Sequence, residues 1–277
     1  MGMATVLEAE RHRVILKLTA ERSVLSVTDL VEILGASEAT VRRDINALAE
    51  AGQLRRIRGG AEALRPRHEA HLVGVPFQLN EGLGAPEKRA IARAAVALIE
   101  DGDSIVINGG TTTYAMAEFL AERQLDILTN SIPLMIRLLA SRNRIVMTGG
   151  TVFREQNIVL SPYEHDVSDQ FWGQKLFISC FGLNRFGLME ADPLIVQAQQ
   201  KLLRRAETLI VLADSRKLRQ RSSMIVAPLE RIATLITDEG ASEEELAPYL
   251  QRDIRVIRAS VLEEDRDGAP LRHAGPA

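Results

Sequence analysis

The sequence predicts a two-part α/β protein: a small N-terminal winged helix-turn-helix followed, after a linker, by a mainly parallel sheet covered by helices on both faces. Three observations carry this. Residues 26–61, SVTDLVEILGASEATVRRDINALAEAGQLRRIRGGA, read as helix, tight turn, second helix and arginine-rich strand. From Pro86 onward, short apolar β-rich runs alternate with helix-length segments, the pattern of a parallel sheet buried on both sides. Charge is also unevenly divided. The chain carries a net −3, yet residues 42–67 hold seven arginines (Arg42, Arg43, Arg55, Arg56, Arg58, Arg65, Arg67) against Asp44, Glu50 and Glu62, whereas residues 68–277 hold 23 lysines and arginines against 28 acids. Phosphate contact depends on the face presented, not on the whole-chain total, so the basic stretch implies double-stranded DNA as partner.

Taken in order, Leu7, Val14, Ile15 and Leu18 recur at helical spacing and predict a first helix over about residues 5–20. Thr28 or Asp29 can cap the second helix, with Leu30, Ile33 and Leu34 as its buried stripe. Gly35 permits the turn, and Ser37 is placed to cap the third helix. In that helix Val41, Ile45 and Leu48 share one face, leaving Thr40, Arg42, Arg43 and Asn46 on the other. A recognition helix needs this division: the apolar stripe fixes its pose, and its N-terminal polar side chains reach base edges in the major groove. Arginine can read guanine through two hydrogen bonds, while Ser37 and Thr40 suit phosphate. Asp44 is expected to pair with a neighbouring arginine or to cap a turn, and not to touch DNA. Arg55, Arg56 and Arg58, ahead of Gly59-Gly60, predict a wing strand laid along the backbone.

The organisation read from the chain is 1–61 as the DNA-binding domain, 62–85 as a Pro/Gly-rich linker, 86–262 as the α/β body and 263–277 as a disordered tail. Within the body, helices are expected over about 86–100, from near 113 and over 131–141. Strands are expected at SIVIN (104–108), DILT (126–129), RIVMTGG (144–150), LFISCFG (176–182), LIVLADS (209–215) and TLIT (234–237).

In such sheets ligands bind where loops leave the carboxyl ends of strands. Here those loops are Asn108-Gly109-Gly110-Thr111-Thr112-Thr113, Thr129-Asn130-Ser131 and Thr148-Gly149-Gly150. Exposed N–H groups, a helix dipole and several hydroxyls suit an anion, so the body is predicted to take a phosphorylated polyol. Lys88 is a weaker candidate for the effector, since a lysine at a helix start is usually solvated.

Several classes are excluded or disfavoured. The lone cysteine, Cys180 in LFISCF, rules out an internal disulfide and reads as a small core residue. No His-x-x-x-His, Gly-x-Ser-x-Gly or P-loop lysine is present, and no cofactor or metal is implied. No apolar run reaches the roughly 18–20 residues that span a bilayer, and the N-terminus lacks a signal-peptide core, so a cytoplasmic location without membrane contact is expected.

SEATVRRDINALAEAGQLRRIRGGAEA in the head, together with the spaced motifs of the body, resembles the DeoR family of bacterial sugar-responsive regulators over about residues 5–258. The resemblance implies a transcriptional repressor of a carbohydrate-utilisation operon, relieved by a phosphorylated sugar and working as a homodimer or homotetramer. It also implies a sensor body resembling the ribose-phosphate isomerase-like fold. Asp214-Ser215-Arg216-Lys217 resembles the family's Asp-Ser-x-Lys element, which places Asp214 and Lys217 at the effector. Most members have Gly-Pro at Ser161-Pro162, an acidic pair near Ile195-Val196 and Asp-Lys at Gln174-Lys175; this chain departs at each. INGGTTT, TNSIP, VLSP, Asp192, Lys201 and RGGAEA are instead similar to the ascorbate-utilisation repressor branch, whose effector is L-ascorbate 6-phosphate. Two alternatives stand beside this: a sugar-phosphate isomerase-like enzyme, and a DNA-binding adaptor whose body only oligomerises. The isomerase class uses a strand-end Asp-Gly carboxylate as its base, and the run from Leu176 to Leu188 offers no carboxylate.

Overall fold

In the computed structural model, which describes residues 8–22, 24–64, 76–161, 163 and 165–266, the chain divides into one unit within Met1–Ala70 and another within His71–Ala277. The first unit holds α1 (Glu8–Arg22), β1 (Val24–Ser26), α2 (Val27–Leu34), α3 (Glu38–Glu50), β2 (Leu54–Ile57) and β3 (Gly60–Ala63). The strands form an antiparallel sheet in the order β1-β3-β2, so the wing hairpin is tied back to the helices through β1.

Ser26, not Thr28 or Asp29, caps α2. Its hydroxyl accepts from the Asp29 amide at 3.1 Å while the Asp29 carboxylate takes the Ser26 amide at 3.2 Å, a reciprocal capping box. Gly35 ends the helix at φ 60°, the left-handed region that favours glycine, and Ser37 then caps α3 by accepting from Thr40 N at 3.2 Å. Ile15, Leu25, Leu30, Val41, Ile45, Leu48 and Leu54 fill the core. Ile33 departs from its expected place and is exposed, because an eight-residue helix turns only Val27 and Leu30 fully inward, with Val31 and Leu34 half-buried beside them. Asp44 also lies inside. The Arg11 guanidinium donates to both of its carboxylate oxygens at 2.7 and 3.0 Å, which is what lets a charge occupy the inner face of α3.

The second unit is built on seven parallel strands. In chain order its elements are α4 (Phe77–Gly82), α5 (Ala85–Val96), β4 (Ser104–Ile107), α6 (Thr111–Tyr114), α7 (Ala117–Leu120), β5 (Asp126–Thr129), α8 (Ile132–Leu138), β6 (Arg144–Met147), the β7–β8 hairpin (Thr151–Phe153, Ile158–Leu160), β9 (Gly173–Ile178), β10 (Gly182–Asn184), β11 (Gly187–Glu190), α9 (Pro193–Leu203), β12 (Ala206–Leu212), β13 (Met224–Ala227), β14 (Ile232–Asp238), α10 (Glu243–Leu250), β15 (Arg255–Ala259) and α11 (Glu263–Arg266). The sheet runs β15-β14-β12-β9-β4-β5-β6, and β10, β11 and β13 make a separate antiparallel sheet.

Alternation along the strands feeds two cores. Ile105, Ile107, Phe177, Ile210, Leu212 and Ile236 face one; Val106, Leu176, Ile178, Leu209, Val211 and Leu235 face the other. That two-sided burial is the reason the strands read as continuous apolar runs. From β4 the chain winds outward through β5 and β6, then returns to lay β9 on the other side of β4. The winding direction therefore reverses between β4 and β9, and a crevice opens at their carboxyl ends.

Two boundaries differ from the reading of the sequence. The wing strand β3 continues to Ala63, and Phe77–Gly82 is helical inside the stretch read as linker; Phe77 is buried edge-on against Tyr114, with ring centroids 5.4 Å apart. Residues 65–75 of that linker lie outside the described residues. At the other end Glu263–Arg266 is helical instead of disordered, because Asp265 is buried where the guanidinium of Arg93 donates to it at 2.6 Å and Arg89 approaches at 3.3 Å. Residues 267–277 of the expected tail lie outside the described residues. No helix among the described residues is long and apolar enough to cross a membrane.

Candidate functional site

The residues expected to read DNA lie on α3 and on the wing of the first unit. Thr40, Arg42 and Arg43 lie on α3, with Ser37 at its cap and Asn46 one turn further along. Arg42 donates to Glu38 at 2.6 and 2.9 Å, and Arg55 donates to its cross-strand partner Glu62 at 2.7 Å. Arg56 reaches across to Asn46 Oδ1 at 3.1 Å, linking wing and recognition helix. Arg43 and Arg58 are exposed and have no hydrogen-bond or ion-pair partner among the described residues. The turn at Arg58-Gly59 needs its glycine at φ 83°, and Gly60 packs so tightly that a Cβ there would stand 2.1 Å from the Leu25 carbonyl oxygen.

In the second unit a cavity of about 320 Å³ occupies the crevice at the β4 and β9 carboxyl ends. Gly109, Gly110, Thr111 and Thr112 wall it after β4, and Ser179, Cys180 and Phe181 after β9. Phe77, Asn80 and Leu83 cover it from α4 and its end; Glu190 lies at the end of β11, and Arg216, Lys217 and Gln220 come from the turn after β12. Gly110 packs closely on the end of β9: a Cβ there would stand 1.9 Å from Ser179 Oγ, and that hydroxyl would have to turn away.

Of the residues expected at the effector, Gly109, Gly110, Thr111, Thr112 and Lys217 line the cavity, and the others stand behind it or apart from it. Asn108 bridges the two strand ends, donating to Ser179 O at 3.1 Å and accepting from Ser179 N at 2.9 Å. Thr113 donates to Asn108 O at 2.8 Å, and Asn130 accepts from Gly109 N at 2.7 Å, so both shape the loop. Thr129 Oγ1 accepts from Ser131 N, and Ser131 caps α8. Gly149 and Gly150 turn the chain into the β7–β8 hairpin, Gly150 at φ 135°. Asp214 is fully buried, caps the turn Ser215–Arg219 and accepts from Arg216 Nε at 2.9 Å. It lines a neighbouring cavity with Asp238, Glu239 and Arg216.

Two ionisable groups were not foreseen in their present roles. Lys88 is 2% exposed instead of solvated, and its ammonium donates to the Asn80 carbonyl. Burial lowers its pKa to about 7, with Asp214 opposing and Arg216 and Lys217 adding to the fall. Glu190 is the second, and burial pushes its carboxyl up to about 7 against the opposing pull of Gln199, the Ala191 amide and Lys217. A single acid closing the apolar run GLME ahead of Asp192-Pro193 was its only signal in the sequence. Lys217 sits over the Phe181 ring, 5.9 Å from its centroid, and approaches Gln220 Oε1 at 3.4 Å. Cys180 is buried, and burial raises its thiol pKa, consistent with a core residue. Among the described residues no group of three His, Cys, Asp or Glu is placed to hold a metal ion.

The DeoR-like helix-turn-helix domain model matches residues 11–67, and the DeoR C terminal sensor domain model matches residues 84–239. The HTH-type transcriptional regulator UlaR of Shigella dysenteriae serotype 1 is 35% identical over 255 residues, covering 91% of this chain and 99% of that protein. Proteins of the same name from Salmonella newport and Salmonella heidelberg are 34% identical over the same shares. Among solved structures, ribose 5-phosphate isomerase A from Methanocaldococcus jannaschii overlays at a TM-score of 0.34 and 16% identity, over 47% of this chain and 52% of that one.

Proposed function

The chain belongs to the DeoR family of helix-turn-helix transcriptional regulators, and on that premise we propose that it represses a carbohydrate-utilisation operon and leaves its operator when a phosphorylated sugar fills the cavity. The observation that carries the reading is the cavity's position. It lies where the winding of a parallel sheet reverses, walled by the Gly109–Thr112 loop and by Lys217. Backbone N–H groups, hydroxyls and a lysine converge there on a volume suited to a small phosphate ester. Lys88, close behind, adds a cation at the cost of its burial.

L-ascorbate 6-phosphate is the specific effector we propose, from the likeness of INGGTTT, TNSIP, VLSP, Asp192 and Lys201 to the ascorbate branch. Gly109 to Thr112 and Lys217 would contact it, while Asn108, Thr113, Asn130 and Asp214 hold those contacts in place. On DNA, Arg43 would read base edges, and Arg42, Arg55, Arg56 and Arg58 would follow the phosphates with Ser37, Thr40 and Asn46. A homodimer or homotetramer would pair two heads with two half-sites. Induction then requires that the effector bind the operator-competent arrangement less tightly than another arrangement.

The test is fluorescence anisotropy on a fragment from upstream of the neighbouring operon, with and without L-ascorbate 6-phosphate and a panel of other sugar phosphates. Release by one compound is the expected result. Binding that ignores every compound would return the body to an assembly role.

A further inference from the structure

Glu190 ends β11 on the wall of the cavity, and its residue is only 8% exposed. Its carboxyl is held by one good donor: Gln199 Nε2 reaches Oε1 at 2.8 Å from α9, and the Ala191 amide approaches Oε2 at 3.4 Å. No lysine or arginine among the described residues forms an ion pair with it. The charged groups around it are few. Lys217 and Arg216 come from the turn after β12, with Arg216 committed to Asp214 and to the Leu83 carbonyl. Cys180 comes from the end of β9, Asp192 caps α9, and β13 (Met224–Ala227) presents no ionisable side chain. Gln199 Oε1 is itself buried without a partner among the described residues, so this corner holds more acceptors than donors.

The Gln199 amide, the Ala191 and Phe181 N–H groups and the charge of Lys217 all favour the carboxylate, but burial without an ion-paired cation outweighs them and favours the neutral form. The neutral form changes what the cavity can take. A carboxylate would repel any anionic group brought near it, whereas a carboxylic acid offers an O–H to one. With the acid neutral, no carboxylate of the cavity wall cancels the charge of Lys217, which forms no ion pair among the described residues and stays available to an anionic ligand.

We propose that Glu190 is the specificity-determining residue of this cavity and acts as a protonated hydrogen-bond donor, selecting a phosphate ester that carries a second acidic group, a carboxylate or an ionised enediol, over a neutral polyol phosphate. The proposal rests on the reading of the cavity as the effector site. The proton is supplied by solvent: Glu190 takes it up as the ligand enters, and the second anion then accepts the O–H. Since the free carboxyl titrates near pH 7, affinity for a doubly acidic ligand is highest below that pH and falls as pH rises through it.

The test is calorimetry on the full-length chain with a matched pair of probes, 6-phosphogluconate and glucitol 6-phosphate, which differ at the end remote from the phosphate, and with L-ascorbate 6-phosphate as a third. For wild type, 6-phosphogluconate is expected to bind at least about tenfold more tightly than glucitol 6-phosphate at pH 6, and to weaken about tenfold by pH 8 relative to Glu190→Gln. Glu190→Gln keeps a donor and is expected to hold affinity within about threefold at pH 6, without the added pH dependence. Glu190→Ala is expected to lose the discrimination. Repeating the wild-type titration at pH 8 in buffers of different ionisation enthalpy should register proton uptake, a readout that does not depend on any variant folding. Loss of both ligands in Glu190→Gln, a preference for glucitol 6-phosphate, or no proton uptake overturns the role of Glu190 while leaving a phosphate-binding cavity. Failure of all three probes to bind wild type overturns the effector reading itself, and this proposal with it.

Discussion

Replacing Lys88 with methionine should stabilise the protein near neutral pH. The lysine is 2% exposed, and its pKa falls from 10.5 to about 7. A gap of that size, at about 1.4 kcal/mol per pH unit, means that holding the ammonium in the folded state costs on the order of 5 kcal/mol. Methionine fills much of the volume without the charge. Against the gain stands the Asn80 carbonyl, which loses its donor at a cost of about 1–2 kcal/mol, and the imperfect match in shape. A net gain of about 2–3 kcal/mol remains, or roughly 4–12 °C in Tm for a unit of this size. The sign follows from linkage: the folded pKa lies below the unfolded one, so the unfolded chain holds the extra proton between about pH 7 and 10.5. The penalty is complete below pH 7 and disappears as pH rises across that window. Thermal melts of wild type and Lys88→Met should therefore lie far apart at pH 6 and draw together by pH 10. A variant less stable than wild type at pH 6, or a gap equal at both pH values, would refute a charged, buried Lys88.

Three further outcomes are expected. Arg43→Ala should weaken operator binding about 5- to 150-fold, the worth of one bidentate base contact, with melting unchanged; equal affinity at physiological salt would remove Arg43 from the reading set. Gly60→Ala drives a Cβ to 2.1 Å from the Leu25 carbonyl, where β3 pairs with β1, so the wing must shift. Operator affinity should then fall at least about tenfold while a ligand-induced thermal shift persists; a variant that binds DNA normally would show that the wing is dispensable. Lys217→Ala should still bind DNA yet lose about 10- to 150-fold in effector affinity, as expected for a charge-assisted hydrogen bond, and normal induction would place the lysine outside the site.

The readable parts of the sequence are those in which local chemistry decides structure. Ser37, Gly35 and the Val41-Ile45-Leu48 stripe act within one or two turns, and the turn, the cap and the inner face of α3 lie where they indicate. The β-rich runs at 104–108 and 126–129 were equally legible, because a strand buried on both faces needs a continuous apolar run; the strand expected at 209–215 instead spans Ala206–Leu212, its last residues turning into the Asp214-capped turn. Three-residue strands such as β7 and β8 carry too few residues for a period to show.

The candidate site was legible only where the backbone itself forms it. Gly109 to Thr112 announce a loop at a strand end, but nothing local distinguishes that loop from Thr129-Asn130-Ser131 or Thr148-Gly149-Gly150. The return of β9 to the far side of β4 selects the first of them, and that is a property of topology. Lys88 shows the same limit. A lysine in a first helical turn is ordinarily solvated, but here the Asn80 carbonyl of α4 accepts from its ammonium, and Asp214, Arg216 and Lys217 of the turn after β12 lie near it. Asp214 reads as a ligand contact by its motif, whereas in the fold it caps a turn and holds Arg216.

The claim that one chain couples the cavity to the operator is tested most directly by measuring effector affinity twice, on free protein and on protein saturated with operator DNA. Coupling is reciprocal, so an effector that weakens operator binding by a given factor must itself bind the operator complex more weakly by that same factor. The account predicts two unequal affinities whose ratio matches the loss in DNA affinity. Equal affinities with and without operator would contradict it, leaving a DNA-binding head and a ligand-binding body that share a chain without communicating.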